Sequence, residues 1–175
     1  MKSCKPAKGP GVNVPCFGHE LEAVIVRLLT RREQTLALAE SCTGGCIAHR
    51  LTNVPGASAV FPGGVVAYGN AAKQKFLGVC AETLAAQGAV SEGVAREMAE
   101  GAREKLGADF AIAVTGIAGP TGGTRVKPPG TVFIALASAA GTVVERKLNS
   151  CGREQFKDLT AQQALEMLRA RLVGD

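Results

Sequence analysis

Apolar residues divide most of the chain into short segments of two kinds. In one kind they recur at every third or fourth position, which is the spacing of a helix with one buried face. In the other they run continuously or alternate with polar residues, as they do in β-strands. The spacing predicts helices over 20–32, 43–52, 81–87, 91–106 and 154–172, a short helix beginning at 70, and strands over 35–39, the end of 61–67, 109–114, 131–137 and 142–149.

The order of these elements predicts an α/β fold. Helices and strands are interleaved, and most of the strands are too apolar to face water, so helices should cover both faces of the sheet. The last two predicted strands are close enough in sequence to form a hairpin, which would make the sheet mixed rather than wholly parallel. We therefore expect a single three-layer α/β/α domain with a mixed sheet.

Length and composition fit one domain of this kind. The chain has 175 residues, 46% of them hydrophobic, which is enough for one proper core. Residues 1–16 are rich in Lys, Pro and Gly and are expected to form a disordered lead-in, followed by the domain over 17–175. The lead-in lacks the apolar stretch of a secretion signal, and no run is long enough to span a bilayer. We expect a cytoplasmic protein with no membrane partner.

Charge and cysteine content narrow the classes of partner and cofactor. The net charge is +5, but the basic residues are scattered, and one Tyr with no Trp leaves little for stacking bases, so we expect no nucleic-acid partner. The six cysteines are expected to be reduced. Cys42, Cys46 and His49 invite a metal interpretation, yet zinc needs about four ligands and the chain has only two histidines. Buried thiols and no metal are favoured.

A turn rich in Ser, Thr and Gly is the first candidate site. Residues 39–45 read Ala-Glu-Ser-Cys-Thr-Gly-Gly, directly after a predicted strand and before a predicted helix. Such a turn exposes a hydroxyl beside unpaired N–H groups, which serves both acyl chemistry and anion binding. Ser41 can be a helix N-cap or a nucleophile, and Thr43 can take the cap in its place. Glu40 is expected only to satisfy local backbone donors. The predicted oxyanion donors are the N–H groups of Thr43, Gly44 and Gly45.

A nucleophilic serine needs a base, and a lysine is the better candidate than either histidine. Lys73 falls in the first turn of the helix that Asn70 is expected to cap, where the helix dipole would lower its pKa. The alternative is an ordinary solvated lysine. Tyr68 is the only tyrosine. It can be a residue at the edge of the core, or its phenol can bond Ser41 or relay a proton.

A glycine-rich loop follows the strand over 109–114. It lacks the spacing of a nucleotide-triphosphatase P-loop, but its glycines allow backbone N–H groups to approach a ligand closely. A plain wide turn is the alternative. Lys127 or Arg153 can hold a phosphate, and Arg153 is favoured because it opens the last helix and its guanidinium binds phosphate through two bonds. The candidate binding residues of this region are Thr115, Gly116, Gly119, Gly122 and Arg153.

Three of these segments together resemble the CinA C-terminal family, whose enzymatic members are nicotinamide-nucleotide amidohydrolases. They are the segment around Ser41, the Tyr-x-Asn-x-x-Lys pattern from Tyr68 to Lys73, and Thr-Gly-Ile-Ala-Gly-Pro over 115–120. The resemblance covers roughly 33–172. The chain departs from the family at Gly69 and Ala71, where members often carry Ser and Glu. Neither departure removes a proposed catalytic group.

The resemblance implies an activity that the residues alone do not specify. Taken by themselves, the residues support a serine-type hydrolase with an anionic ligand. The resemblance implies a nucleophilic Ser41 with Tyr68 and Lys73 as partners, and a mononucleotide site along the glycine-rich loop. No cofactor is expected, because nothing in the chain resembles a ligand cluster. The reaction would convert nicotinamide mononucleotide to nicotinate mononucleotide and ammonia. The alternative is a non-catalytic nucleotide-binding or regulatory module. We also expect a homo-oligomer, without the activity of the larger N-terminal domain of full-length relatives.

Overall fold

The computed structural model describes residues 20–174, so the expected lead-in over 1–16 lies outside the described residues. The helices are α1 Glu20–Arg31, α2 Cys46–Thr52, α3 Asn70–Leu77, α4 Ala81–Gln87, α5 Glu92–Leu106 and α6 Arg153–Gly174. The strands are β1 Leu36–Glu40, β2 Gly63–Val66, β3 Phe110–Gly116, β4 Thr131–Ser138 and β5 Gly141–Leu148. Every predicted element is present in this part of the chain. No helix in it combines the length and apolarity that crossing a membrane requires.

The strands form one mixed sheet in the order β2-β1-β3-β4-β5. Strands β2, β1 and β3 are parallel, and β4 and β5 continue the sheet antiparallel to their neighbours, which confirms the predicted mixed sheet. Glu40 at the end of β1 lies opposite Val66 of β2 and Val114 of β3. The chain segments that leave these parallel strands therefore begin at the same edge of the sheet, where ligands of α/β proteins bind.

The two faces of the sheet differ in side-chain size. Alternate residues of β1, β3 and β4 point to opposite faces. Larger side chains such as Leu38 and Ile112 pack with α1, α2 and α6, whereas alanines such as Ala39 and Ala113 pack with α3 and α5. Helices thus cover both faces, which confirms the three-layer α/β/α fold. The alanine face allows α5 to lie close to the sheet.

The second predicted helix begins later than its spacing indicated. We expected a helix over 43–52, but α2 begins at Cys46. Gly44 and Gly45 have φ angles of 63° and 98°, a left-handed conformation that glycine adopts at little cost and that cannot continue a helix. Residues 41–45 form a turn instead. Cys42 therefore precedes α2 and does not share a helix face with Cys46.

Candidate functional site

The turn after β1 holds Ser41 at the carboxyl edge of the sheet. The Ser41 N–H donates to the Val114 carbonyl of β3 at 3.1 Å, and the Ser41 carbonyl accepts from the Gly44 N–H at 3.1 Å. These two bonds tie the turn to the central strand and close it on itself. The Ser41 side chain is only 7% exposed, so its hydroxyl is largely shielded from bulk water.

The start of α2 is occupied by the carboxylate of Glu40. Its Oε2 accepts from the Thr43 hydroxyl at 2.6 Å and from the N–H groups of Gly45 and Ile47 at 2.9 and 3.2 Å. Its Oε1 accepts from the Ala48 N–H at 2.8 Å. The N-cap residue is Gly45, with no side-chain cap bond, so the expected cap at Thr43 is wrong. The Glu40 carboxylate, which comes from the preceding strand, caps the helix instead, because a negative charge is favourable at the positive end of the helix dipole.

This arrangement changes the set of N–H groups that can meet an oxyanion. We predicted the N–H groups of Thr43, Gly44 and Gly45. Those of Gly44 and Gly45 already donate to Ser41 and Glu40. Among the residues described, no oxygen accepts from the N–H groups of Cys42 or Thr43. The candidate donors at this turn are therefore the N–H groups of residues 42 and 43, rather than those of Gly44 and Gly45.

Lys73 is buried directly against Ser41. The Lys73 Nζ lies 3.0 Å from the Ser41 Oγ, 2.7 Å from the Ala67 carbonyl oxygen and 3.1 Å from the Tyr68 carbonyl oxygen. The side chain is 1% exposed, which excludes the ordinary solvated lysine. Burial lowers the pKa of Lys73 below its usual 10.5, because a desolvated ammonium is disfavoured.

The local structure around Lys73 differs from the expectation in one respect. Gly69 is the residue before α3, and Asn70 is its first residue and makes no side-chain cap bond, so the expected Asn70 cap is wrong. Lys73 does lie in the first turn of this helix. The main cause of its lowered pKa is burial rather than the helix dipole invoked from the sequence.

The phenol of Tyr68 contacts Arg153 rather than Ser41. The Arg153 Nη2 donates to the Tyr68 phenolic oxygen at 2.8 Å, and its Nη1 donates to the Gly119 carbonyl at 3.1 Å. Tyr68 is 62% exposed, so it is not a core-edge residue. Its backbone carbonyl faces Lys73 while its side chain orients Arg153, which is the first residue of α6.

The glycine-rich loop contributes its two ends to the site. The Thr115 hydroxyl is buried and donates to the Ala89 carbonyl at 2.8 Å, so it fixes the end of β3 rather than projecting freely. Gly122 is exposed. The Lys127 Nζ donates to the Gln87 carbonyl at 2.7 Å and thereby anchors the loop to the end of α4. Of the two cations considered for phosphate, only Arg153 faces the site.

Two neighbouring cavities open at this edge of the sheet. The smaller, of about 180 Å³, is lined by Ser41, Cys42, Tyr68, Lys73, Ala89, Val90, Thr115, Gly116, Ala118 and Arg153. The larger, of about 450 Å³, is lined by residues 118–120, 129–130 and 150–153. Ala118 and Arg153 line both. Arg153 therefore stands where a ligand in the smaller cavity would extend into the larger one.

The structure brings most of the predicted site residues together. The smaller cavity gathers Ser41, Tyr68, Lys73, Thr115, Gly116 and Arg153, and Gly119 lines the larger cavity. Thr43, Gly44, Gly45 and Gly122 line neither. The sequence reasoning missed Ala89 and Val90, whose apolar side chains carry no chemical signal. The expectation that Glu40 satisfies local backbone donors is confirmed, and its carboxylate also accepts from the Thr43 hydroxyl.

The cysteines near the site are thiols with raised pKa values. Burial raises the pKa of Cys42 to about 12 and that of Cys46 to about 11. The Cys46 Sγ lies 3.6 Å from the Asp158 Oδ1. Within residues 20–174, no three His, Cys, Asp or Glu side chains form a group that could hold a metal ion. Cys42 therefore lines the cavity as a protonated thiol.

Fold and site define an α/β protein with a buried serine–lysine pair at the carboxyl edge of parallel strands. The family model of the CinA C-terminal domain matches residues 18–172, so the chain belongs to the CinA C-terminal domain family, as its motifs predicted. A CinA-like protein of Anaeromyxobacter sp. strain Fw109-5 is 54% identical over 153 residues, which are 87% of this chain and 37% of that protein. A CinA-like protein of Parasynechococcus marenigrum is 51% identical over 164 residues, 91% of this chain and 39% of that protein. The chain thus spans less than two fifths of the length of these relatives.

Solved structures of the same superfamily share the fold. The competence/damage inducible protein CihA from Agrobacterium tumefaciens superposes with a TM-score of 0.84 and is 44% identical, covering 87% of this chain and 93% of that one. A competence-damaged protein (CinA) superfamily protein from Klebsiella pneumoniae gives a TM-score of 0.86 at 37% identity, covering 90% of this chain and 98% of that one. The fold described here is therefore that of the CinA superfamily.

Proposed function

We propose that the chain is a serine-type amidohydrolase that converts nicotinamide mononucleotide to nicotinate mononucleotide and ammonia. The observation that carries the proposal is the buried contact between Lys73 and Ser41, with Lys73 also against two backbone carbonyls. The substrate is taken from the resemblance of the motifs to the amidohydrolase members of the family. No cofactor is required by this chemistry.

The surroundings of Lys73 suit a general base. A neutral lysine amine has two N–H groups and one lone pair. If the N–H groups donate to the carbonyls of Ala67 and Tyr68, the lone pair faces the Ser41 hydroxyl, 3.0 Å away. The lowered pKa favours this neutral form. The two carbonyls thus orient the base as well as hold it.

The reaction then proceeds through an acyl-enzyme. The Ser41 Oγ attacks the carboxamide carbon while its proton passes to the Lys73 Nζ. Of the two candidate donors in the turn, the Cys42 N–H is the one assigned to the oxyanion, because Cys42 lines the smaller cavity and Thr43 does not. When the tetrahedral intermediate collapses, the carbon–nitrogen bond breaks, and Lys73 returns its proton to the leaving nitrogen, which departs as ammonia. Water, deprotonated by Lys73, hydrolyses the ester to the carboxylate and regenerates Ser41.

The cavities suggest how the substrate divides between them. The smaller cavity of about 180 Å³ contains the serine–lysine pair and suits the pyridine carboxamide. The larger cavity of about 450 Å³ would take the ribose phosphate. Arg153 lines both and can exchange its bonds to Tyr68 and Gly119 for bonds to the phosphate.

The test is ammonia release from nicotinamide mononucleotide by the purified protein and by Ser41→Ala. We expect turnover by the wild type and a loss of many powers of ten in the variant, with the mononucleotide still bound, because the removed hydroxyl contributes little to packing. Free nicotinamide should be a poor substrate, since it lacks the phosphate that orients the amide. Binding of the mononucleotide by the wild type without ammonia release would instead identify a nucleotide-binding module.

A further inference from the structure

Glu40 is the buried charged group of the site that the proposed mechanism does not use. It is 1% exposed, directly precedes Ser41 in the chain and lines neither cavity. It therefore cannot touch a ligand held in those cavities. Its carboxylate nevertheless accepts four hydrogen bonds, all from residues 43–48.

These bonds join the end of β1 to the start of α2 across the turn that carries Ser41. On one side, β1 is held in the sheet between β2 and β3. On the other side, the Glu40 carboxylate holds the Thr43 hydroxyl and the N–H groups of Gly45, Ile47 and Ala48. Two glycines in left-handed conformation make the turn itself pliable. The carboxylate supplies the constraint that the glycines lack.

We propose that Glu40 is a positioning residue that holds the 41–45 turn so that the Ser41 hydroxyl faces Lys73. The proposal rests on the proposed serine mechanism, because it assigns Glu40 a role through Ser41. It also accounts for the donors left free. Of the predicted donors, Glu40 binds the Gly45 N–H and thereby withholds it from an oxyanion, whereas within the described residues the Cys42 N–H, next to the nucleophile, donates to no oxygen.

The number of donors explains why the residue is a carboxylate. Both oxygens accept, with three donors on Oε2 and one on Oε1. A glutamine in the same place has one acceptor oxygen, and its amide NH₂ would face either the Ala48 N–H or the other three donors. Glu40→Gln therefore removes the constraint at one end of the turn while keeping the size of the side chain.

Three variants test the proposal. Glu40→Gln alters the carboxylate, and Thr43→Val removes only the hydroxyl that donates to it at 2.6 Å. Glu22→Gln is the matched control, because Glu22 is also 1% exposed, lines neither cavity and accepts from Arg50 rather than from the turn that carries Ser41. Each variant is assayed for kcat and KM on nicotinamide mononucleotide, and for unfolding by heat.

A second readout does not depend on the natural substrate. A small alkyl phosphonofluoridate reacts with an activated serine by forming the oxygen–phosphorus bond and expelling fluoride, while the serine proton passes to the base. The rate of Ser41 phosphonylation, followed by intact mass, measures how well the hydroxyl and Lys73 are aligned.

We expect Glu40→Gln to lower both kcat and the phosphonylation rate by at least about tenfold, with KM within about threefold, because small displacements of a nucleophile are costly. Thr43→Val should lower both rates by a smaller factor, and Glu22→Gln should lower only the melting temperature. If Glu40→Gln does not fold, Thr43→Val tests the proposal by the same comparison: lowered kcat and phosphonylation rate with KM within about threefold.

Several results would overturn the proposal. One is a wild-type kcat and phosphonylation rate in Glu40→Gln or, if that variant does not fold, in Thr43→Val. Another is a loss of rate in Glu22→Gln equal to that in Glu40→Gln. A third is an effect of Glu40→Gln on KM alone. Wild-type protein that is phosphonylated on Ser41 but releases no ammonia would refute the proposed substrate while the phosphonylation rates still test Glu40. Wild-type protein that shows neither reaction would refute both proposals.

Discussion

In the proposed mechanism, burial distinguishes the nucleophile and the base from neighbouring residues of similar chemistry. Ser41 and Cys42 are adjacent and both line the smaller cavity, but the pKa of the Cys42 thiol is raised to about 12. A thiol with that pKa has almost no thiolate at neutral pH, so it is a poor nucleophile. Likewise Lys73 is buried beside Ser41, whereas Lys75, two residues later, is exposed.

The lowered pKa of Lys73 predicts a pH dependence and an intolerance of arginine. Lys73 must be neutral to accept the serine proton. We therefore expect kcat/KM to be low at pH values below the pKa of Lys73 in the folded protein, and to rise as the pH passes through this pKa, which lies below the usual 10.5. Lys73→Arg keeps a positive charge that does not dissociate near neutral pH. We expect it to lose activity about 10²- to 10⁴-fold, nearly as much as Lys73→Ala.

The control for this prediction lies on the same helix. Lys75→Arg changes an exposed side chain beside Phe76 and should leave the rate–pH profile unchanged. The measurement is kcat/KM against pH for the wild type, Lys73→Arg, Lys73→Ala and Lys75→Arg. Substantial activity of Lys73→Arg would mean that Lys73 is an electrostatic anchor and that the base is elsewhere.

Helices α3 and α5 are positioned by close packing on the alanine face of the sheet. Helix α5 contacts β1, β3 and β4 there through small residues that include Ala95, Ala99 and Ala102. It also supports α3, which carries Lys73. Gly101 of α5 meets the last residue of α3, since a Cβ built at position 101 would lie 1.8 Å from the Leu77 carbonyl oxygen. A single glycine thus sets how near α3 can approach.

Gly101→Ala should therefore disturb the site from a distance. The added methyl group must push α3 outward, and we expect it to destabilise the fold by about 1–3 kcal/mol, the usual cost of overpacking. Because α3 carries Lys73, kcat should fall as well. Urea unfolding and turnover measure the two effects.

A second glycine of the same helix provides the comparison. At Gly93 an added Cβ would meet only the side chain of Gln87, at 2.7 Å, and this side chain can move aside. Gly93→Ala should leave stability within about 0.5 kcal/mol of the wild type. Equal behaviour of the two variants would show that the contact between α5 and α3 does not control Lys73.

The whole fold assembles the site from segments far apart in the chain. The smaller cavity is lined by residues 41–42, 68, 73, 89–90, 115–116, 118 and 153. These segments meet because three parallel strands end at one edge and α6 returns its first residue to the same place. A ligand that bridges them binds only the folded state, so its binding should stabilise the entire domain.

Nicotinate mononucleotide at about 100 times its Kd should raise the free energy of unfolding by about 2.7 kcal/mol. Arg153→Ala should remove most of this stabilisation at the same concentration, because a charged hydrogen bond contributes about 1.5–3 kcal/mol. Lys127→Ala is the control: it breaks the bond to the Gln87 carbonyl but should retain the stabilisation by ligand. The opposite ranking of the two variants would assign the phosphate to Lys127. The measurement is denaturant unfolding with and without the mononucleotide.

Short-range pattern determined the elements of this protein. Apolar spacing located the helices and strands, and Ser91 was placed correctly at the start of α5, where its hydroxyl accepts from the Val94 N–H. Glycine caused the error in a helix boundary, because the left-handed Gly44 and Gly45 delay the start of α2 to Cys46, three residues after the predicted start. The motifs around Ser41, over 68–73 and over 115–120 together indicated the family, and the first two indicated a serine–lysine pair.

Only the tertiary structure decided how those residues are oriented. The pairing of Tyr68 with Arg153 spans 85 positions, and the bonds of Glu40 depend on how the turn bends before α2. Spacing along the chain determines which face of an element a side chain occupies. It does not determine which side chain from another element lies opposite, because that depends on the packing of all three layers. Sequence alone therefore identified the chemical groups, and the fold determined their distances, their burial and hence their pKa values.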